Sequence, residues 1–229
     1  GNPAFRNVFV HAANVGVLLS GGTGVLVANN LIGLGASATP GPNGFGIQVN
    51  SAINAVMSKN VIANNGKGIT VNGGNRADYR DSRIFANTTI AVDLNNDGPT
   101  PNDDATPPYD TDTGANLLLN YPKILSVAMM SASVGVVNYE VKTTPNTSID
   151  VYFCINPAGS AQCATIDPVS AGVTTDASGF FSGSRTLTGL NTNDVITLYA
   201  YANLAAARAM NPNAKADQLA VAFIAVTMA

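Results

Sequence analysis

Charged side chains are scarce in this sequence. Only 11% of its 229 residues are Asp, Glu, Lys or Arg, against roughly 25% in an ordinary soluble domain. No Asp or Glu occurs before Asp78, and Glu140 is the single glutamate. Glycoside hydrolysis needs two placed carboxylates, and residues 1–77 cannot supply them. The net charge of −3 gives little repulsion between copies, so self-association is easier than usual.

Histidine, long apolar runs and basic runs are also missing. With His11 as the single histidine and no nucleophile-elbow motif, a Ser-His-Asp triad is not indicated. No apolar run reaches 18 residues, so we expect no membrane span. The eleven Lys and Arg residues form no run, and we expect no nucleic-acid binding. No signal peptide opens the sequence, which predicts a mature or trimmed fragment of a longer protein.

The chain has two cysteines, Cys154 and Cys163, in the stretch CINPAGSAQC. They are too few for a zinc site and do not form a C-x-x-C redox motif. A local disulfide that closes a loop is the favoured interpretation, and it implies an oxidising compartment. The alternative is a pair of free thiols near a strand.

The first part of the chain contains short repeats. The apolar pairs Leu31-Ile32, Val61-Ile62 and Ile84-Phe85 are spaced by 30 and 23 residues, and a second series follows them as GIQV, GITV and IAVDL. The longer spacing is explained by the Gly- and Pro-rich insertion GLGASATPGPNG. Short strands with a period of about 22 or 23 residues and no helical periodicity predict a parallel β-helix. Asparagines near the corners would adopt left-handed turn conformations (Asn29, Asn30, Asn60, Asn64, Asn65 and Asn87).

The pattern changes after Gly114. From Tyr121 onward seven β-rich runs alternate with turn signals such as TPNTS and TDASG, which predicts an immunoglobulin-like β-sandwich. In the run DVITLYAYA, Ile196, Leu198 and Ala200 form the better core face. The prediction is therefore an all-β protein with a short right-handed parallel β-helix at 1–98, an Asp/Pro-rich junction at 99–120, and a sandwich at 121–229.

The order of these motifs resembles the end of secreted bacterial right-handed parallel β-helix repeat proteins. The resemblance is carried by PNGFGIQV, NVIANNGKGITV, SRIFANTTIAVDLNNDGPTPNDD and DTDTGANLLLNYPKI, and then by PNT at 145–147 and TTDASGF at 174–180. It covers nearly the whole chain, and its most specific part is the segment 93–122. It implies the fold, export, and an extracellular or cell-surface location, but no reaction.

Six of the fourteen acidic residues lie in the segment 93–114. Its opening, DLNNDG, has the D-x-N-x-D-G spacing of a calcium-binding loop, and hard oxygen ligands suit calcium. The candidate ligands of a structural calcium ion are Asp93, Asn95, Asp97, Asp104, Asp110 and Asp112. Two alternatives remain open: the carboxylates are solvated groups of a linker, or they are catalytic.

The segment NRADYRDSR, residues 75–83, is the charged part of the repeats. On a strand Arg76, Asp78 and Arg80 would share one face, which is a candidate contact for an anionic polysaccharide. The alternative is a solvated patch of mutually paired charges at the edge of a coil.

These observations predict a non-enzymatic structural or adhesive surface protein, with no catalytic residues assigned. An uncovered first coil would expose unpaired backbone groups, so we expect partners among other copies of the chain, as in filaments, or other surface proteins. The alternative is a carbohydrate-active module that binds an extracellular polysaccharide or cleaves it as a lyase or glycoside hydrolase.

Overall fold

The computed structural model describes residues 7–73, 77–79, 82–103, 105–110, 115, 120–156, 165–168, 173–191, 193–202 and 220–223. Every regular element in these ranges is a β-strand, which confirms the all-β prediction. The chain forms two compact units. Unit 1 comprises Gly1–Thr100 and Thr113–Leu118, and unit 2 comprises Pro101–Asp112 and Leu119–Ala229, so the segment 99–120 is shared between them.

Unit 1 is built from three parallel sheets. Their strands are β1 Val8–Phe9, β4 Leu31–Ile32, β7 Val61–Ala63 and β9 Arg83–Phe85 in the first sheet; β2 Val15–Leu19, β5 Phe45–Val49, β8 Lys67–Val71 and β10 Ile90–Leu94 in the second; β3 Leu26–Ala28 and β6 Val56–Ser58 in the third. The chain visits the sheets in turn and returns to the first sheet one coil further on. This path is that of a β-solenoid, as predicted.

The register between β7 and β9 differs by one residue from the sequence alignment of the repeats, whereas β4 and β7 pair as aligned. Ile62 pairs with Ile84 and Ala63 with Phe85, whereas the repeats had aligned Ile62 with Phe85. Side chains alternate between the two faces of a strand, so a shift of one residue would exchange inner and outer positions. The observed register keeps buried Ile62 beside Ile84, which are 22 residues apart, while β8 and β10 pair at a step of 23 residues.

Aliphatic side chains stack inside the coils in columns. Ile47 and Val49 of β5 pair in register with Ile69 and Val71 of β8, and all four are fully buried. Full burial of one such side chain contributes about 1.5–3 kcal/mol. The stacked columns are therefore the main source of stability in unit 1, and the outer positions are free to be small and polar.

Two of the six corner asparagines, Asn29 and Asn64, adopt the left-handed conformation that was predicted. In the neighbouring coils the equivalent positions hold Lys59 and Ala86, with φ of 56° and 52°. Outside glycine, asparagine tolerates this conformation better than residues such as Lys and Ala. The other four asparagines do not have a positive φ.

We expect the substitution Ala86→Asn to stabilise unit 1 by about 0.5–1 kcal/mol, because asparagine relieves left-handed strain at an exposed position. Differential scanning calorimetry should show a higher melting temperature. Ala13→Asn is the matched control, because Ala13 is exposed and is absent from the left-handed positions. Equal effects of the two substitutions would contradict the strain argument.

Unit 2 contains two antiparallel sheets. One has the order β11-β12-β16, and the other has the order β14-β13-β17-β18, with β15 also paired to β13. The strands are β11 Lys123–Ser131, β12 Val134–Lys142, β13 Ser148–Asn156, β14 Thr165–Pro168, β15 Val173–Thr174, β16 Phe180–Thr188, β17 Val195–Ala202 and β18 Ala220–Phe223. One hydrophobic core contains side chains from both sheets.

The core of unit 2 confirms the predicted alternation along β17. Ile196 and Leu198 are fully buried, and the side chain of Ala200 lies outside the described residues. From the opposite sheet, Tyr139 meets the ring of Phe153 edge-on, with ring centroids 5.1 Å apart. Burial raises the pKa of Tyr139, and the positive charge of Arg185 partly offsets this effect. The inner faces of both sheets are therefore assigned to the core.

Candidate functional site

A ladder of polar side chains runs along one corner of the solenoid, and its two central members, Asn30 and Asn60, are buried. Nδ2 of Asn7 donates to Oδ1 of Asn30 at 2.9 Å, and Nδ2 of Asn30 donates to Oδ1 of Asn60 at 3.0 Å. The backbone N of Asn60 donates to Oγ of Ser82 at 3.2 Å, so serine ends the series. Each step crosses from one coil to the next. This first ladder therefore connects four successive coils.

A second ladder follows the corner that precedes β5, β8 and β10. Nδ2 of Asn43 donates to Oδ1 of Asn65 at 2.9 Å, and Nδ2 of Asn65 donates to Oδ1 of Asn87 at 3.1 Å. Asn65 is fully buried, and its Nδ2 also reaches the carbonyl oxygens of Ile32 and Ala63 at 3.1 Å. The amides therefore satisfy backbone groups that the turn leaves without sheet partners.

The predicted left-handed turn conformation is wrong for four of the corner asparagines, which are Asn30, Asn60, Asn65 and Asn87. None of the four is among the residues with positive φ. They occupy the corners because an amide both donates and accepts, so identical side chains can bond in an unbroken series. The signal was present in the sequence as the 22-residue spacing of Asn43, Asn65 and Asn87.

Lys67, the first residue of β8, contacts Asp93 of β10 and Asn96 in the turn after β10. We call these three residues the lysine cluster. Nζ of Lys67 lies 2.5 Å from Oδ2 of Asp93 and 2.7 Å from Oδ1 of Asn96. The backbone N of Gly98 donates to Oδ1 of Asp93 at 3.1 Å. Asp93 is fully buried, whereas the side chain of Lys67 is 24% exposed. Both carboxylate oxygens of Asp93 thus have a partner within the chain.

The second sheet explains the burial of Asp93. Asp93 of β10 pairs in register with Thr70 of β8, which is also fully buried. Oγ1 of Thr70 has no hydrogen-bond partner among the described residues. A carboxylate without water needs an opposite charge and hydrogen bonds, and Lys67 and Gly98 supply them. Among the described residues of unit 1, Asp93 is the acid that is held away from solvent.

The other predicted calcium ligands lie as follows. Oδ1 of Asn95 accepts from the backbone N of Ala115 at 3.1 Å, and Asp97 is exposed. Asp110 belongs to unit 2, where Oγ1 of Thr143 donates to its Oδ2 at 2.8 Å. Asp104 and Asp112 lie outside the described residues. Oxygens of Asp93 and Asn95 are thus already engaged by other groups of the chain.

The described residues contain no group of three or more His, Cys, Asp or Glu side chains placed to share a metal ion. Calcium coordination also uses amide and backbone oxygens, so the calcium site stays a prediction. For calcium to bind Oδ2 of Asp93, the Lys67 ammonium would have to leave, because both cations need the same oxygen.

The predicted polysaccharide contact comprises Arg76, Asp78 and Arg80. The structure describes Asp78, whereas Arg76 and Arg80 lie outside the described residues. Asp78 forms a parallel bridge with Val56 of β6, which is in register with Leu26 of β3. Leu26 is 65% exposed. Asp78 therefore lies beside an apolar row on the third sheet.

The predicted disulfide would join Cys154 and Cys163. Cys163 and the side chain of Cys154 lie outside the described residues, so the disulfide stays a prediction.

Comparison with known proteins agrees with the geometry of unit 1. Residues 1–103 match the family model described as a right-handed beta helix region. No curated protein matches this chain. The parallel sheets of unit 1 fit the solenoid that this family model describes. Among the described residues, no helix is long and apolar enough to span a membrane.

Proposed function

We propose that the chain is a non-enzymatic structural or adhesive module of an extracellular or cell-surface protein. In this proposal unit 1 is a rigid β-helix and unit 2 is an immunoglobulin-like sandwich that is displayed with it. The observation that carries the proposal is the pair of asparagine ladders. They commit the buried polar side chains at two corners of unit 1 to bonds between coils.

The ladders support a structural role because they stabilise the contacts between successive coils. A buried hydrogen bond that is left unmade costs about 1–3 kcal/mol, so sliding one coil against the next would break several such bonds at once. A catalytic site needs groups that are free to exchange protons or bind substrate. The described buried carboxylates Asp93, Asp110 and Asp194 instead accept hydrogen bonds from the chain itself.

The outer surface of unit 1 supports contact with other copies of the chain or with other surface proteins. Leu18 and Leu26 are 50% and 65% exposed, and Ile53 is 46% exposed. Exposed apolar groups on a protein with a net charge of only −3 favour association, because little repulsion opposes it. The structural calcium ion and the Cys154–Cys163 disulfide belong to the same proposal, since both would suit an extracellular module.

Electron microscopy of the purified chain, with and without a calcium chelator, tests this function. We expect filaments or sheets, and we expect the exposed-surface substitution Leu26→Lys to disperse them. Asn72→Lys is the matched control, because Asn72 is also exposed but polar. Loss of the assemblies in chelator would support the calcium prediction, whereas unchanged assemblies would contradict an essential calcium ion.

Incubation with a panel of polysaccharides distinguishes the proposed structural module from the alternative, a carbohydrate-active module. Dispersed single particles together with release of reducing or unsaturated ends would overturn the structural proposal. Dispersed particles with retention on a polysaccharide resin, but no cleavage, would instead identify a binding module. In that case Arg76→Ala should weaken retention of an anionic polysaccharide, because the substitution removes a positive charge from the predicted contact.

A further inference from the structure

Strand β11 lies at the edge of its sheet, and its pairing with β12 contains two bulges. At each bulge β11 has one residue more than β12, and the two extra residues are Leu125 and Met130. A bulge leaves the extra residue out of the cross-strand pairing and can redirect its side chain. Leu125 is 54% exposed and Met130 is 71% exposed. Both bulges of β11 therefore present a large apolar residue to water.

We propose that Met130 is an oxidation site, where a peroxide converts the thioether to a sulfoxide and makes this part of the sheet edge polar. Oxidation of methionine replaces a flexible apolar side chain with a polar one. Leu125, at the other bulge, has a hydrocarbon side chain that a peroxide does not attack. The proposal concerns unit 2 by itself and does not depend on the function proposed above.

The step needs one co-reactant, which is hydrogen peroxide or an organic hydroperoxide. A lone pair of Sδ attacks one peroxide oxygen, and the S–O bond forms as the O–O bond breaks. The proton of the transferred oxygen moves to the departing oxygen, which leaves as water or as an alcohol. The sulfur loses two electrons and the peroxide gains them, so atoms and electrons balance.

The three methionines among the described residues differ in access to a peroxide. Met57 is fully buried inside unit 1, Met129 is 40% exposed, and Met130 is the most exposed of the three. Met129 pairs in register with Gly135, and a Cβ added to Gly135 would lie 3.1 Å from Sδ of Met129. The sulfur of Met129 is therefore covered on one side by β12. Since the peroxide must reach the sulfur, we expect Met130 to react first, Met129 next and Met57 last.

The reaction at Met130 should leave the fold of unit 2 intact. The hydrophobic core of this unit is formed by buried residues such as Ile124, Val137 and Phe153, and Met130 does not belong to it. A sulfoxide in the core would bury a polar group, which is costly, whereas a sulfoxide at the exposed bulge is hydrated. The change is therefore confined to the polarity of the surface.

Peptide mapping of the folded full chain after treatment with dilute hydrogen peroxide is the test. The substitutions Met210→Leu and Met228→Leu remove the methionines that lie outside the described residues. We expect oxygen to be added at Met130 about tenfold faster than at Met57, because the buried sulfur reacts only when the coil opens. The oxidised chain should elute earlier from a hydrophobic-interaction column, with an unchanged melting temperature. Met130→Leu should abolish the early elution.

Leu125→Met is the matched variant, because it places a thioether at the other bulge. It should gain a second methionine that reacts as fast as Met130. Met130→Gln should elute early without any peroxide, because it replaces the thioether with a polar group. Equal rates at Met130 and Met57 in the folded chain would overturn the proposal, as would oxidation of Met130 with no change in elution.

Discussion

The substitution Asn65→Ala is expected to destabilise unit 1 by about 3–5 kcal/mol, because it leaves several buried polar groups without partners. Asn65 bonds to Asn43 and Asn87 on either side and to the carbonyl oxygens of Ile32 and Ala63. Calorimetry should show a large fall in the melting temperature of unit 1. Hydrogen exchange should locate the loss of protection in β5, β7 and β8.

The control for this prediction is Asn72→Ala. Asn72 also bonds to an asparagine of the neighbouring coil, with its Nδ2 2.8 Å from Oδ1 of Asn50, but this pair is exposed. Water replaces an exposed hydrogen bond, so we expect a change of about 0.5 kcal/mol or less. If both substitutions cost the same, burial of the ladder would not be the source of its stabilising effect.

In unit 2 the substitution Gly179→Ala is expected to cost about 3–5 kcal/mol. Gly179 has a φ of +90°, and an added Cβ would overlap the carbonyl oxygen of Thr143. The backbone N of Thr143 donates to the carbonyl oxygen of Gly179 at 2.8 Å, so the two segments cannot separate without breaking this bond. The melting temperature of unit 2 should fall while that of unit 1 stays constant.

Gly189→Ala separates the two causes of this cost. Gly189 has a similar φ of +76°, but no atom lies within 4 Å of an added Cβ. It should therefore show backbone strain alone, about 1–2 kcal/mol. A cost at Gly179 no larger than that at Gly189 would contradict the overlap with Thr143.

The sequence was sufficient to predict the parallel solenoid and the change to antiparallel strands. The repeats that contain Ile32, Ile62 and Ile84 show the coil spacing because buried aliphatic residues must recur once per coil. The one-residue error in register arose because short apolar pairs align almost equally well in two ways. The buried asparagines would have resolved it, since a ladder tolerates no shift.

The lysine cluster could not be predicted from the sequence. Asp93 matched a calcium-loop pattern, and nothing in that pattern shows that Lys67 lies beside it. The two residues are 26 positions apart, and only the coil register brings them together. Local spacing predicts which residues share a turn, whereas partners from neighbouring coils depend on the length of every intervening loop.

The asparagine ladders also have a consequence for chemical ageing. Deamidation at an Asn-Gly step begins when the glycine nitrogen attacks the side-chain amide. At Asn65 that nitrogen donates to the carbonyl oxygen of Asn43 at 2.9 Å, and the Asn65 amide is held within the ladder. Asn72 has the same Asn-Gly sequence but lies at the surface. The Asn-Gly step at Asn65 is thus protected by the fold, and Asn72 should be the first of the two to deamidate during long storage of the purified protein.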